Sequence, residues 1–255
     1  MRFHIFESGS RGNCTVIESD DHRYIMIDNG LTKKKTTDKL KDFNIQKEDI
    51  KALLVTHSHT DHIGGISYFP KDILYSTSLC NIGTPVSNYL VPFETYEING
   101  FMITCIPTSH DAPGSCGFII ECDGETLVYI TDTGYIYERV CEKIINKEYY
   151  IIESNHNVRM ELECNRPQYL KKRVIGDCGH LSNEDSANYM CDVIGDKTKQ
   201  IFLAHLSSEA NTPSQAMEDY NKVFEERNID ISLFDIKCTS QTETVSGGKE
   251  KVSNG

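Results

Sequence analysis

The sequence predicts an α/β domain in which two β-rich halves carry intervening helices. Short runs of β-branched, aromatic and aliphatic residues recur along the chain, as strands require, and segments with helix start signals lie between some of them. The chain has 255 residues, 38% of them hydrophobic, so it can bury a sizeable core and still falls within the size range of one large domain. We therefore expect a single folded domain over residues 1–238.

The strand-like segments share a short length and a composition rich in Ile, Val, Tyr, Phe and Thr. They are residues 3–6, 14–18, 24–28, 52–55, 73–75, 101–106, 117–122, 126–131, 149–153 and 200–204. Three segments are typical of helices, at residues 36–43, 183–194 and 214–228, the last opened by the start signal Thr212-Pro213. Two sheets covered by helices would accommodate these elements.

The ends of the chain and its cysteines indicate where the protein works. Residues 239–255 are rich in Ser, Thr, Gly and Lys, and we expect a mobile polar tail there. No apolar run approaches the roughly 20 residues needed to span a bilayer, and the N-terminus leads directly into a strand. The ten cysteines are scattered without a Cys-x-x-Cys pair, so reduced thiols are expected. These features predict a cytoplasmic protein with no membrane partner.

The densest chemical signal in the sequence follows the apolar run at residues 52–55. His57, His59, Asp61 and His62 place four potential metal ligands within six residues. Imidazole and carboxylate suit zinc, manganese or iron, and no cysteine pair lies nearby to make a closed structural zinc site. A single loop histidine is most often merely solvated, but this cluster favours a site where metal ions meet water.

The spacing of these ligands suits two adjacent metals. If the chain turns sharply after Val55, His57 and His59 can point one way while Asp61 and His62 point another. One loop would then supply ligands to both ions of a two-metal centre, the arrangement that many hydrolases use.

The motif His57-x-His59-x-Asp61-His62, followed by Gly64-Gly65, resembles the signature of the metallo-β-lactamase superfamily. The resemblance implies the αββα sandwich of that superfamily, two mixed β-sheets flanked by helices, with the metals at one edge between the sheets. It also implies three further ligands: a distant histidine, a bridging aspartate and a last histidine. The matching positions, each after a strand-like segment, are His110, Asp132 and His205.

The resemblance assigns these ligands to two divalent ions, zinc or manganese, with iron possible. One ion would be held by His57, His59 and His110, the other by Asp61, His62 and His205, with Asp132 bridging. A water shared by the two ions would become the hydroxide nucleophile of a metallohydrolase. Asp28, which closes a strand, would brace the loop, because the ligand set is already complete.

Motifs that flank or extend beyond the ligands narrow the resemblance to the YycJ (WalJ) group of bacterial members of the superfamily. They are residues 7–13, 130–135, 153–157, 179–184, 204–207 and 211–213. Members of that group are implicated as DNA exonucleases that act from the 5′ end. The resemblance therefore implies a metal-dependent phosphodiesterase, a DNA exonuclease of 5′ to 3′ polarity, whose partner is DNA or another phosphodiester.

We expect Asp61 and His180 to be the catalytic residues. His180 precedes a predicted helix, so it could lie at the mouth of the cleft as a phosphate contact or as the proton donor to the leaving oxygen. Asn13, His156 and Asn183 are the other candidates for substrate contact. The alternative for each of them is a polar residue of a loop or helix end with no role in binding.

The net charge argues against a duplex held mainly through its phosphates. The sequence has 26 basic and 38 acidic side chains, a net charge of −12, whereas proteins that bind the phosphate backbone usually present a basic face. Basic clusters at residues 33–35 and 171–173 could grip a phosphate chain, or each could be a solvated face.

Two other classes of function remain open. A small-molecule hydrolase of the same fold, cutting a cyclic nucleotide, thioester or lactone, would suit the acidic composition. A non-hydrolytic protein, either a di-iron redox member or an interaction module without metal, is the second. The redox branch typically has a glutamate at the position of His59 and a flavin domain, and the sequence has neither. Seven intact ligand positions argue against a metal-free module.

Overall fold

Fourteen strands and seven α-helices make up the part of the chain that this computed structural model describes, residues 1–249. The strands are β1 (Arg2–Glu7), β2 (Cys14–Glu18), β3 (Tyr24–Ile27), β4 (Ile50–Leu54), β5 (Leu74–Thr77), β6 (Asn88–Leu90), β7 (Thr95–Ile98), β8 (Phe101–Pro107), β9 (Cys116–Cys122), β10 (Glu125–Ile130), β11 (Tyr149–Glu153), β12 (Gln200–Ala204), β13 (Asp235–Cys238) and β14 (Val245–Gly248). The helices are α1 (Lys33–Asp42), α2 (Thr60–Ile63), α3 (Glu138–Ile144), α4 (Val158–Glu163), α5 (Gln168–Ile175), α6 (Asn183–Val193) and α7 (Pro213–Glu226). Short 3₁₀ turns occur at Lys47–Asp49, Ile66–Tyr68, Lys71–Ile73 and Ile231–Leu233.

The strands form two mixed sheets of seven strands each. The first has the order β14-β1-β2-β3-β4-β5-β6 and the second the order β13-β12-β11-β10-β9-β8-β7. Strands β3 to β6 run parallel in the first sheet, as β10 to β13 do in the second, and the other neighbours are antiparallel.

Three apolar layers hold the sheets and helices together. The central layer lies between the two sheets and includes Phe3 from the first and Phe118 from the second. A second layer packs α3, α6 and α7 on the outer face of the second sheet, through residues such as Met190 and Tyr220. The third, which includes Leu40 of α1, covers the outer face of the first sheet. This arrangement confirms the predicted fold, an αββα sandwich of two mixed sheets flanked by helices.

Strand direction brings the ends of seven strands to one edge of the sandwich. In the first sheet β1, β3 and β4 run in the same direction, because β2 is antiparallel to both β1 and β3. In the second sheet β8, β10, β11 and β12 share a direction for the same reason. The residues that follow these strands therefore meet at one edge, where open α/β sheets commonly bind ligands.

All ten predicted strands are present, and their ends match or differ by at most two residues. Helix α1 begins at Lys33, three residues before the predicted start, because the Thr32 side chain accepts a hydrogen bond from the backbone of Lys35. Four short strands and the helices α2 to α5 were not predicted; the strands are β6, β7, β13 and β14. Each of these elements is short, and short elements give a weak periodic signal. Within residues 1–249, no helix is long and apolar enough to cross a membrane.

The expected mobile tail differs from the structure over residues 239–249. Strand β14 pairs antiparallel with β1, with Phe3 opposite Gly247, and Val245 packs against the central core. The glycine that suggested flexibility has a packing reason, since a Cβ at Gly247 would overlap the rings of Phe3 and Phe202. The rest of the predicted tail, residues 250–255, lies outside the described residues.

The close packing at Gly247 predicts that a larger residue at this position destabilises the fold. Gly247→Ala should lower the free energy of unfolding by about 1–3 kcal/mol, because two buried rings must shift to admit one methyl group. Glu243→Ala, an exposed change in the same segment, should have an effect within about 0.5 kcal/mol. Urea unfolding of both variants measures the difference. Equal stability of the two variants would mean that β14 does not pack on the core in solution.

Candidate metal centre

Histidine and aspartate side chains converge at the shared strand edge in overlapping groups. Within each group, one ligand atom per residue lies within 4.8 Å of the others. The groups are His57, His59 and His110; His57, His62 and Asp132; Asp61, His62 and His205; and Asp132, Glu153, His180 and His205. All seven metal-ligand candidates of the sequence are thus brought together, and Asp132 lies in two of the groups.

The loop after β4 faces both sides of this cluster. His59 caps the short helix α2, and its Nδ1 lies 3.2 Å from His110 Nε2. One helical turn further, His62 turns to the other side, where its Nε2 lies 3.6 Å from an oxygen of Asp61 and 3.3 Å from an oxygen of Asp132. His59 and His62 thus lie in different ligand groups, whereas His57 shares one group with each of them.

A buried carboxylate, Asp28, holds the loop in place. It accepts hydrogen bonds from the Thr56 backbone and hydroxyl, both at 2.8 Å, and from His62 Nδ1 at 2.7 Å. His57 Nδ1 lies 3.0 Å from the same Thr56 hydroxyl. Since the Nδ1 atoms of both histidines are engaged with these oxygens, Nε2 is the ring atom that each histidine can offer to a metal. Asp28 braces the loop as the sequence suggested.

On the second sheet, Glu153 orients two histidines in the same way. This carboxylate, at the end of β11, lies 2.7 Å from His180 Nδ1 and 3.0 Å from His205 Nδ1. His205 is thereby oriented with Nε2 toward Asp61 and Asp132, at 3.8 Å and 3.6 Å. His110 is oriented by a carbonyl, because its Nδ1 lies 3.2 Å from the oxygen of Gly179.

The donor atoms at the centre of the cluster fit divalent metal ions. His57 Nε2, His205 Nε2 and Asp132 Oδ2 are buried and have no hydrogen-bond partner among the described residues. Burying a polar atom without a partner is costly, so such atoms are expected where a ligand completes the site. Zinc, manganese and iron prefer nitrogen and oxygen ligands whose other polar atoms are hydrogen-bonded to the protein, as they are here.

The charges of the cluster are strongly coupled. Burial lowers the pKa of His57 and that of His110, so both are neutral imidazoles ready to donate a lone pair. Burial opposes protonation of His62 too, but Asp132 and Asp28 outweigh it and raise the pKa of His62 to about 10. Burial likewise opposes the charged form of His205, but chiefly Asp132 raises its pKa well above the usual value. Without metal, protons occupy the places that cations would take.

Three residues of the site have a left-handed backbone conformation that directs their side chains. Asp28, Asp132 and His205 have φ values of 54°, 56° and 57°, the left-handed region that costs a residue with a side chain about 1 kcal/mol or more. Each follows a strand end, where the turn directs the side chain across the edge of the sheet. Close packing helps as well, since a Cβ at Gly30 would overlap the carbonyl oxygen of Asp61.

His180 lies beside the cluster, as a substrate-side residue would. Its ring stacks on that of His205, with centroids 5.3 Å apart, and lies 5.2 Å from the ring of His110. Its Nδ1 is engaged with Glu153, which leaves Nε2 as the ring atom available to a substrate. The catalytic and substrate-contact roles expected for His180 stay predictions.

The other three substrate candidates are buried, and two of them serve the architecture instead. Asn13 bonds with Gly9 and lies 2.9 Å from His62 Nε2, so it braces the metal loop. Asn183 donates to Asp219 at 2.8 Å and exchanges hydrogen bonds with Asn211. Asn13 and Asn183 are therefore not placed to contact a substrate directly, because their polar atoms are already hydrogen-bonded within the protein.

His156 has a different environment from the one that we expected. Its ring is buried next to the start of α6, and neither ring nitrogen has a hydrogen-bond partner among the described residues. Burial lowers the pKa of His156 to about 4, so the ring is neutral at physiological pH. Its expected contact with substrate stays a prediction that requires an opening of this region.

The two basic clusters are partly engaged with the protein itself. Lys171 is buried and donates to the carbonyl of Leu162 at 2.6 Å, and Lys35 pairs with the buried Glu7 at 2.9 Å. Arg173 instead pairs with Asp111, a carboxylate whose other oxygen lies 3.4 Å from His59 Nε2. Lys33, Lys34 and Lys172 remain exposed, so each cluster keeps part of its basic surface.

Glu153, Asp111 and Arg173 are the residues of the site whose roles sequence reasoning missed. The signal for Glu153 was present, because it closes a strand-like segment just as Asp28 does. Asp111 follows His110 directly, but nothing local indicates that it lies between His59 and Arg173. That contact depends on how α5 packs over the loop.

Comparison with known proteins places the chain in a family. The sequence profile of the metallo-beta-lactamase superfamily matches residues 8–161. Exodeoxyribonuclease WalJ of Streptococcus pneumoniae is 34% identical over 225 residues, which cover 83% of each chain. Exodeoxyribonuclease YycJ of Bacillus anthracis is 31% identical over 252 residues, which cover 94% of this chain and 95% of the relative.

Solved structures agree on the fold. The metallo-beta-lactamase fold protein YhfI of Bacillus subtilis superimposes with a TM-score of 0.70 at 15% identity, covering 96% of this chain and 99% of the other. The short form of human tRNase Z gives a TM-score of 0.63 at 14% identity, with 96% and 98% covered. Together with the histidine and aspartate clusters, these likenesses show that the chain is a hydrolase that belongs to the metallo-beta-lactamase superfamily.

Proposed function

We propose that this protein is a metal-dependent DNA exonuclease that removes nucleotides from the 5′ end. The observation that carries the proposal is the combination of site and relatives: overlapping ligand clusters share Asp132, and relatives that align with most of the chain are named exodeoxyribonucleases. Hydrolysis of a phosphodiester at a pair of divalent ions is the chemistry that such clusters support.

The seven ligand candidates divide between two metal positions. In this proposal His57, His59 and His110 hold one ion, Asp61, His62 and His205 hold the other, and Asp132 lies between them. When bound, the two ions would supply Lewis acidity that favours ionisation of a water and neutralises charge on the phosphate oxygens. The protein's part is to keep the nitrogen and oxygen donors aimed, through Asp28 and Glu153.

Proton movement assigns a role to His180. Hydrolysis adds water to phosphorus and breaks a P–O bond, so the attacking water loses a proton and the leaving sugar oxygen gains one. His180, held through Nδ1 by Glu153, would donate that proton from Nε2 as a general acid. Asp61, whose side chain is 23% exposed, would help to orient the reacting water.

Free thiols suit a reducing compartment. All ten cysteines are unpaired, and half of them are buried. Since disulfides form and persist in oxidising environments, this use of cysteine fits a protein made and kept in reducing conditions. We propose the cytoplasm as its location.

A small-molecule phosphodiesterase is the second candidate, favoured by one observation. The net charge of −12 disfavours a long phosphate chain more than a single phosphodiester. A panel of cyclic nucleotides, bis(p-nitrophenyl) phosphate, and single- and double-stranded DNA and RNA, assayed with Mn²⁺ and with Zn²⁺, separates the two. Turnover of cyclic nucleotides with intact DNA would select the second candidate.

Loss of one ligand should abolish exonuclease activity. We expect His59→Ala to reduce release of the terminal nucleotide from 5′-labelled DNA by at least about a hundredfold, because catalysis through metal ions requires correct coordination. His22→Ala changes an exposed histidine at a distant turn and serves as the matched control. Comparison of 5′- and 3′-labelled strands reports the polarity. Near-full activity in His59→Ala would refute the metal assignment.

Replacement of His180 should slow the chemical step while leaving metal binding intact. His180→Gln removes the proton donor but keeps a polar side chain, so kcat should fall by about 10²-fold, the contribution typical of general acid catalysis. Metal content measured by mass spectrometry should equal that of the wild type. A substrate with a p-nitrophenolate leaving group, which needs no protonation, should be affected much less. Equal losses on both substrates would contradict the role.

Metal binding should release protons. In the metal-free protein the raised pKa values of His62 and His205 keep both imidazoles protonated at pH 7, and a metal binds only the neutral ring. Affinity for Zn²⁺ should therefore increase as pH rises from 6 to 8, with about two protons released per molecule near pH 7. Calorimetric titration in buffers of different ionisation enthalpy measures this number. A heat that does not depend on the buffer would contradict the prediction.

A further inference from the structure

An apolar cleft adjoins the metal centre on the side of His110. It has a volume of about 520 Å³, within the range of pockets that bind small ligands. His110 and Asp111 line the end nearest the ligand clusters. The walls come from the loop after β5, the end of β6 and the connection between β8 and β9, and include Leu79, Leu90, Val91 and Pro113. A molecule in this cleft would extend from the metal centre onto an apolar surface.

The chemistry of the cleft excludes a second phosphate. None of the described residues that line it is a lysine or an arginine. Two of its four hydroxyl groups are turned to the protein, since Thr77 donates to the carbonyl of Gly114 at 2.6 Å and Ser115 to that of Thr108 at 3.2 Å. The large side chains at its rim are open to solvent, with Leu79 70% exposed. The cleft therefore suits an uncharged group with apolar faces.

We infer that the cleft receives the terminal nucleoside of single-stranded DNA, while the phosphodiester to be cut lies at the metal centre. This assignment rests on the proposed exonuclease function. A nucleoside is the group attached to a phosphodiester, its base has apolar faces, and packing those faces against aliphatic side chains such as Leu79 and Val91 removes apolar surface from water. The cleft begins at His110, so the nucleoside and the phosphate are placed as neighbours.

The charge of the protein supports the same assignment. With 38 acidic and 26 basic side chains, the protein as a whole exerts little net attraction on a phosphate chain. Affinity that comes from a base contact does not require a basic face. A terminal base that is paired in a duplex is stacked on its neighbour, so this mode of binding favours single-stranded or frayed ends.

The experiment pairs a cleft variant with a matched control. The cleft variant carries Leu79→Ala and Val91→Ala, two changes at exposed side chains, 70% and 48% accessible. The control is Leu233→Ala, a leucine that is 71% exposed and precedes β13, at the opposite edge of the second sheet from β7. Substrates are single-stranded oligonucleotides of one sequence, with either an intact or an abasic 5′-terminal nucleotide.

Two readouts are used, KM for release of the terminal nucleotide and Kd from fluorescence anisotropy in the His59→Ala background. In the wild type, loss of the terminal base should raise both constants at least fivefold. The cleft variant should bind the intact strand as weakly as the abasic one, and Leu233→Ala should match the wild type. A cleft variant that still discriminates like the wild type overturns the assignment.

The outcomes also separate this inference from the proposed function. Binding that discriminates between the two strands without any cleavage would refute the exonuclease function and leave the cleft assignment standing. Cleavage with equal constants for the two strands would refute the cleft assignment and leave the function standing. If the protein neither binds nor cleaves the strands, both the cleft assignment and the exonuclease function are refuted.

Discussion

The buried carboxylate of Asp28 is the contact on which the site depends. It is fully enclosed, so its charge must be met by donors, and the Thr56 backbone, the Thr56 hydroxyl and His62 meet it. These hydrogen bonds connect the end of β3 to the loop after β4 and set the orientation of His62. Glu153 makes the equivalent connection in the second sheet, through His205 and His180. The carboxylates of Asp28 and Glu153 therefore orient the imidazole rings that face the candidate metal site.

The placement of charge explains how an acidic chain can still handle a phosphodiester. Metal ions, and not a basic surface, would supply the positive charge that a phosphodiester requires. They would do so at one point, where buried atoms of His57, His205 and Asp132 lack partners among the described residues. Beside that point lies an apolar cleft whose described lining includes no lysine or arginine, with an exposed Leu79 at its rim. A site of this kind can accept one phosphate and one nucleoside without attracting a long polyanion.

The positions of ten strands along the chain and the types of ligand were predictable, because both are properties of short segments of sequence. Runs such as residues 149–153 and 200–204 are long and apolar enough to identify β11 and β12. Strand β14 was not predictable, because its stability comes from pairing with β1 and from the fit of Gly247 beneath two aromatic rings. Helix α5 is similarly short, and its importance comes from the contact of Arg173 with Asp111.

By itself, the sequence determined the group of residues able to bind metal and most of the strands, because ligand chemistry and strand patterning are properties of short segments. The superfamily and its αββα sandwich followed from the resemblance of the ligand motif to that of known members. The tertiary structure decided which polar residues face the site. It buried Asn13 and Asn183 in supporting networks, enclosed His156, and placed Glu153 between two histidines that are 25 residues apart in the chain. It also formed the apolar cleft beside His110 from three separate loops. Such features arise from contacts between distant segments, whose geometry depends on sheet order and strand direction rather than on local composition.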